Sequence, residues 1–166
     1  MADKDIIDEI SKGNFRAISR AISLVENESI GSKELLLKLE FAKKTPVIGI
    51  TGPPGAGKST LVNILIRHMT NCGKKVGVVA IDPTSPFNYG SLLGDRIRMA
   101  EHFNNDQVFI RSLATRGSLG GLSTKTIEVV DVMKAADFDY ILVETVGVGQ
   151  SEVEIVGLAD TTIVVL

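Results

Sequence analysis

Gly52-Pro53-Pro54-Gly55-Ala56-Gly57-Lys58-Ser59 fills the pattern G-x-x-x-x-G-K-[ST] at every fixed position. An apolar run, Val47-Ile48-Gly49-Ile50, precedes it, and a helical pattern follows over 59–69, with Leu61, Ile64, Leu65 and His68 or Met69 along one side. Strand, glycine loop and helix in that order are the setting in which this pattern means a phosphate-binding loop. A polyphosphate needs several backbone N–H groups aimed at it, and glycine lets the backbone turn and approach closely. The helix N-terminus adds a positive dipole. Lys58 supplies a point charge for phosphate oxygens, and the Ser59 hydroxyl suits Mg²⁺.

Working outward from the loop, short apolar runs alternate with helical ones. The pattern predicts strands over 76–81, 107–112, 140–143 and 162–166, and helices over 96–103 and 122–136, the latter with Ile127, Val130 and Met133 at helical spacing. Near-continuous apolar strands mean burial on both faces, and alternation with helices means a parallel sheet. The fold class read from this is α/β, a mostly parallel sheet flanked by helices. Residues 1–45 differ. Ile6, Ile7, Ile10, Phe15, Ile18, Ala21, Ile22 and Val25 recur at three- and four-residue steps, as in an amphipathic helix broken near Gly13-Asn14. Ser32 is placed to cap a further helix with Leu35, Leu36, Leu39 and Phe41 as its apolar positions. The expected organisation is a helical appendage over 1–45 and a nucleotide-binding domain over 46–166.

The 166 residues are 44% hydrophobic and 23% charged, with a formal net charge of −2, which excludes a disordered chain and gives no basic excess for nucleic acid. A single cysteine, Cys72, cannot form an internal disulfide. The acidic, polar start Met1-Ala2-Asp3-Lys4-Asp5 is unlike a signal or transit peptide, and no apolar stretch reaches the length of a membrane span. A cytoplasmic protein is expected. The run Thr161-Thr162-Ile163-Val164-Val165-Leu166 reads as a strand cut off from what should follow.

Ligands of open α/β sheets sit at the carboxyl ends of the strands. Asp82 and Glu144 end two of them, and each comes out near the phosphate loop if its strand neighbours the first. Ser59 and one or both of these acids would make a magnesium site. Asp95 directly follows Gly94 in the loop 90–96, whose two glycines suit a mobile switch, and is placed to hold metal or order water, or else to cap the helix after it. Glu144-Thr145-Val146-Gly147 is similar to a D-x-x-G switch, with the Gly147 N–H suited to sensing a terminal phosphate. Gln150 is either a water-orienting amide or a surface one. Arg111 and Arg116 lie where a strand end runs into a glycine-rich loop and suit transition-state charge, a pair with Asp95, a partner, or plain structural use; Arg96 and Arg98 share that ambiguity. His68, His102 and Cys72 have no companions at metal-ligand spacing.

Five segments stand in order: 53–59, Asp82-Pro83-Thr84-Ser85, 90–99, Arg116-Gly117-Ser118-Leu119-Gly120-Gly121, and Glu144-Thr145-Val146-Gly147-Val148-Gly149-Gln150-Ser151-Glu152. Together they resemble the MeaB/MMAA/ArgK family of P-loop GTPases, over most of 5–166. The long 144–152 run is the most diagnostic. The resemblance implies a P-loop fold, GTP and Mg²⁺ as ligands, and a chaperone role toward an adenosylcobalamin-dependent mutase such as methylmalonyl-CoA mutase. It implies nucleotide contacts from Gly52, Pro53, Pro54, Gly55, Ala56, Gly57, Lys58, Ser59, Thr60 and Gly147. Ser59, Asp82, Asp95 and Glu144 would serve the metal, and Lys58, Asp95, Glu144 and Gln150 catalysis. Tyr89 stands where the family has the first of two glycines before Ser91.

The family's N-K-x-D base-reading loop and its C-terminal dimerisation extension have no counterpart in these residues. The expectation is therefore the N-terminal part of such a GTPase, with guanine choice implied by resemblance and homodimerisation belonging to the full-length protein. Competing readings are a kinase of an amino-acid transport system, as an older family name has it, a nucleotide-binding fragment with little turnover, and an adenine-nucleotide ATPase.

Overall fold

The computed structural model describes residues 3–82, 99–102, 104–114, 124–147 and 151–166. Among these, five strands form one sheet: β1 (Val47–Thr51), β2 (Val76–Asp82), β3 (Val108–Ala114), β4 (Tyr140–Glu144) and β5 (Thr161–Val164), in the order β3-β2-β4-β1-β5. Every neighbouring pair is parallel. The helices are α1 (Asp3–Ser11), α2 (Phe15–Glu26), α3 (Ser32–Leu37), α4 (Lys58–Asn71), α5 (Thr124–Lys134) and α6 (Ser151–Leu158).

The two-residue period of the strands divides the apolar side chains between two cores. Val79, Ile141 and Val143 join one; Val78, Leu142 and Ile50 join the other, with Val62 and Ile66 of α4. Covered faces on both sides explain why β2 and β4 read as unbroken apolar runs rather than as alternating ones.

The N-terminal helices share the first core. Ile10 of α1, Ile18, Ile22 and Val25 of α2, and Val129 and Met133 of α5 are all fully buried. Gly13 takes φ +77 between α1 and α2, and Asn14 caps α2, its Oδ1 accepting from the N–H groups of Arg16 at 3.0 Å and Ala17 at 3.3 Å. The expected break falls there. Phe15 then packs on Phe109 and Phe138, with ring centroids 5.4 and 6.2 Å away.

Several local expectations change. Gly31, with φ +90, is the N-cap of α3, and Ser32 makes no capping bond because it already lies inside the helix. Phe41 lies past the end of α3 and is exposed. On α4, Leu61, Leu65 and Met69 pack against the core as expected, beside the fully buried Val62 and Ile66, while Ile64 faces solvent. Ile127 is likewise outward on α5, which buries Val129, Val130, Val132 and Met133. Of the helix expected over 96–103, the described part is one 3₁₀ turn, Ala100–His102. No helix among the described residues is long and apolar enough to cross a membrane.

Candidate functional site

The site grows from the parallel register of β1 and β4, in which Ile50 stands beside Glu144. Both strands therefore end at one level, and their following loops meet. Thr145 N–H donates to Ile50 O at 3.0 Å, extending the ladder by one bond. Beyond it, Thr145 Oγ1 donates to Thr51 Oγ1 at 2.9 Å, with both residues buried. Thr51 O in turn accepts from Val165 N–H at 2.8 Å, so the end of β1 is tied on both sides.

From Gly52 the chain turns into the phosphate loop and then α4. Gly57, the N-cap, has φ +97, and the cap carries no side-chain hydrogen bond. Gly57 has no side chain with which to cap this 14-residue helix, and the first N–H groups and positive dipole end suit an anionic acceptor. Lys58 and Ser59 are its first two residues.

Lys58 is buried, and its ammonium donates to Gly52 O at 2.8 Å and Pro53 O at 3.0 Å. Among the described residues two of its three N–H donors are used, which leaves one to offer a ligand. The half-buried Ser59 donates from Oγ to Glu144 Oε1 at 2.7 Å. Glu144 is itself buried at the end of β4. Burying a carboxylate is costly without hydrogen-bonded partners, so the short hydroxyl contact is part of what holds it there.

Gly147 brings the loop after β4 over this pair. Its φ is +84, and an added Cβ would overlap Gly52 O and stand 2.6 Å from Lys58 Nζ. Only a residue without a side chain permits that approach.

The structure thus brings together Lys58, Ser59, Glu144 and Gly147, with Gly52 beneath them. Pro53, Pro54, Gly55, Gly57 and Thr60 surround the loop with partial or full exposure, and Ala56 is half-buried. Asp82 ends β2, but β2 neighbours β4 and not β1; adjacency to the first strand holds for Glu144 alone. The Asp82 side chain, Asp95, Gln150, Arg96, Arg98 and Arg116 lie outside the described residues. Arg111 is not brought to the site. From β3, at the far edge of the sheet, its guanidinium reaches Ser23 Oγ at 3.2 Å and the Glu26 carboxylate on α2. His68 and Cys72 lie towards solvent on and after α4, and His102 is buried beside Glu101.

The pairing of Thr51 with Thr145 is not legible in the residues. The available signal was small: a hydroxyl residue directly after an apolar run, at the end of two strands that turn out to be neighbours.

The donor set at the meeting of β1, β4 and α4 is a hydroxyl and a carboxylate, hard oxygen ligands that fit Mg²⁺. Glycine turn, buried lysine and uncapped helix start fit a polyphosphate.

The chain is similar to several known proteins. A family model described as methylmalonyl-CoA mutase-associated GTPase MeaB matches residues 18–166. A Pyrococcus horikoshii protein provisionally named a GTPase is 51% identical over 162 residues, covering 97% of this chain and 51% of that protein. GTPase ArgK of Escherichia coli is 36% identical over 159 residues, covering 93% of this chain and 48% of that one. The fused isobutyryl-CoA mutase of Geobacillus kaustophilus is 39% identical over 173 residues, 98% of this chain and 16% of that long protein. A crystal structure of a LAO/AO transport system kinase superposes with a TM-score of 0.76 at 29% identity, over 98% of this chain and 49% of that one. The chain spans about half the length of most of these relatives. The sheet is that of the P-loop nucleotide-binding fold, and the chain belongs to the family of methylmalonyl-CoA mutase-associated GTPases, MeaB.

Proposed function

We propose that this protein binds and hydrolyses GTP with Mg²⁺ and reports its nucleotide state to an adenosylcobalamin-dependent mutase. One observation carries the reading: Lys58, Ser59, Glu144 and Gly147 converge where β1 and β4 end over the start of α4. Phosphoryl transfer to water asks for little covalent chemistry from a protein, and positioning and charge stabilisation dominate. Lys58 would place its remaining donor on the terminal phosphates. The loop 52–57 and the first turn of α4 would offer backbone N–H groups. Ser59 and Glu144 would hold Mg²⁺, which when bound offsets phosphate charge, and Asp82 and Asp95 would complete that role on the strength of the family resemblance. Gly147 N–H would meet the γ-phosphate, and Gln150 would orient water. The fused relative joins a stretch like this chain to an isobutyryl-CoA mutase, which supports a mutase as the partner. Residues 1–45 would be the helical appendage and 46–166 the nucleotide-binding unit, in a cytoplasmic protein that dimerises at full length.

The test is titration calorimetry with Mg-GTP and Mg-ATP, alongside phosphate release without any acceptor. GTP preference and acceptor-independent release are expected. Lys58→Ala should abolish binding, and unchanged affinity would overturn the reading. Phosphate transfer to an added amino acid or protein, with no release to water, would favour the kinase activity for which the structurally related transport-system protein is named.

A further inference from the structure

We infer that Thr51 and Thr145 are positioning residues, whose buried hydroxyl–hydroxyl bond holds the loop carrying Gly147 in register with the phosphate loop. The inference rests on the nucleotide site proposed above. Thr51 is 3% exposed and Thr145 2%, and they meet at 2.9 Å across the β1–β4 pair, 94 residues apart in sequence.

Their place in the chain is what matters. Thr51 immediately precedes Gly52, and Thr145 lies between Glu144 and the loop that bears Gly147. The backbone ladder between β1 and β4 ends at the bond from Thr145 N–H to Ile50 O. After it the chains diverge into two loops, and the side-chain bond is a further tie before they do. What lies beyond has little tolerance: Gly147 packs so closely on Gly52 O and Lys58 Nζ that a methyl group cannot be inserted. A slip of one loop against the other would move a backbone that faces Lys58.

The choice of residue type points the same way. Valine has nearly the shape of threonine and suits a buried strand end at least as well. A hydroxyl in each facing position is favourable only because the two satisfy one another; a lone one left buried is costly. Thr51 is also gripped from the end of β5, through Val165 N–H on its carbonyl. It is the fixed side of the pair, and Thr145 the side that transmits position to Gly147.

A tie that merely strengthens the sheet would affect all nucleotides alike. A tie that positions Gly147 should affect only those with a γ-phosphate. The experiment uses the full chain and measures Mg-GTPγS and Mg-GDP binding for the wild type, Thr145→Val, Thr145→Ser, Thr51→Val and the double valine variant. Thr145→Val should weaken GTPγS about tenfold, the scale of one buried hydrogen bond, and leave GDP within about twofold. Thr145→Ser should restore the wild-type ratio. Thr51→Val breaks the same bond from the other side and carries the test if Thr145→Val does not fold. The double variant should be no worse than the poorer single one, because both lose one shared contact. Equal weakening of both nucleotides, no weakening of either, or failure of serine to rescue would overturn the inference while leaving the nucleotide site intact. A wild type that binds neither nucleotide would instead overturn the site reading, and this inference with it.

Discussion

Ser59 Oγ donates to Glu144 Oε1 at 2.7 Å, joining the first turn of α4 to the last residue of β4 across 85 positions of sequence. The contact exists because β4 lies next to β1 and ends level with it. It places one neutral and one anionic oxygen side by side at the mouth of the phosphate loop, which is the composition a hard divalent cation prefers.

Glu144→Gln keeps the shape of that contact and removes the charge. The Mg²⁺ concentration needed for half-maximal GTPase activity should rise at least about tenfold, and saturated turnover should fall about a hundredfold, the scale of losing one group that stabilises transition-state charge. Metal-free GDP binding should change little. A magnesium titration that matches the wild type would remove Glu144 from the metal site.

Gly147→Ala inserts a methyl group where Gly52 O and Lys58 Nζ already sit, at a backbone of φ +84. Stability measured by denaturant unfolding should drop by about 1–3 kcal/mol through strain and displacement. Turnover should fall further than GDP affinity, since the loop can relax away from the lysine only by giving up its position. Wild-type stability in this variant would mean that the two loops do not touch in solution.

Ile22→Ala asks whether the N-terminal helices belong to the nucleotide-binding unit energetically. Ile22 is fully buried in the core that α2 shares with α5 and the sheet. The loss should be about 2–5 kcal/mol, in one transition seen equally by circular dichroism and by nucleotide release. A nucleotide-release transition left at its wild-type midpoint would show that the helices unfold separately.

His102 should make stability depend on pH. Burial lowers its pKa most, the Glu101 carboxylate opposes that, and Arg67 adds to the lowering. The folded state then holds the proton less well than the unfolded state. The histidine's contribution is complete above the unfolded value of about 6.5 and is lost as pH falls through the lower folded value. Thermal midpoints between about pH 7.5 and pH 5 should decline, and His102→Leu should flatten the part of that decline below about pH 6.5. An equal slope in the variant would assign the effect to other groups.

Much of the site was readable from the residues. Gly52 to Ser59 fit the pattern of a phosphate loop on the residues alone, because glycine positions, lysine and hydroxyl each answer a separate demand that a polyphosphate would make, at fixed spacing. Glu144 was readable as a strand-end acid by the same logic. Its standing relative to Asp82 was not, because both end an apolar strand and nothing in either run states which strand lies beside β1. Arg111 shows the opposite case: its place before a glycine-rich loop left chemistry and plain structural use both open, and it faces Glu26 and Ser23 on α2. A contact so distant in sequence leaves no local pattern.

Fold class and family resemblance are legible in the residues alone, because they depend on periodicity and on short-range spacing that the backbone enforces locally. Tertiary structure decided which strands are neighbours, and with that decided everything that depends on two loops meeting. The pairing of Thr51 with Thr145, the reach of Ser59 to Glu144 and the approach of Gly147 to Lys58 all follow from β4 lying beside β1 in register. Strand order arises from how the helices cover both faces of the sheet at once, a condition on the whole chain that no single segment carries.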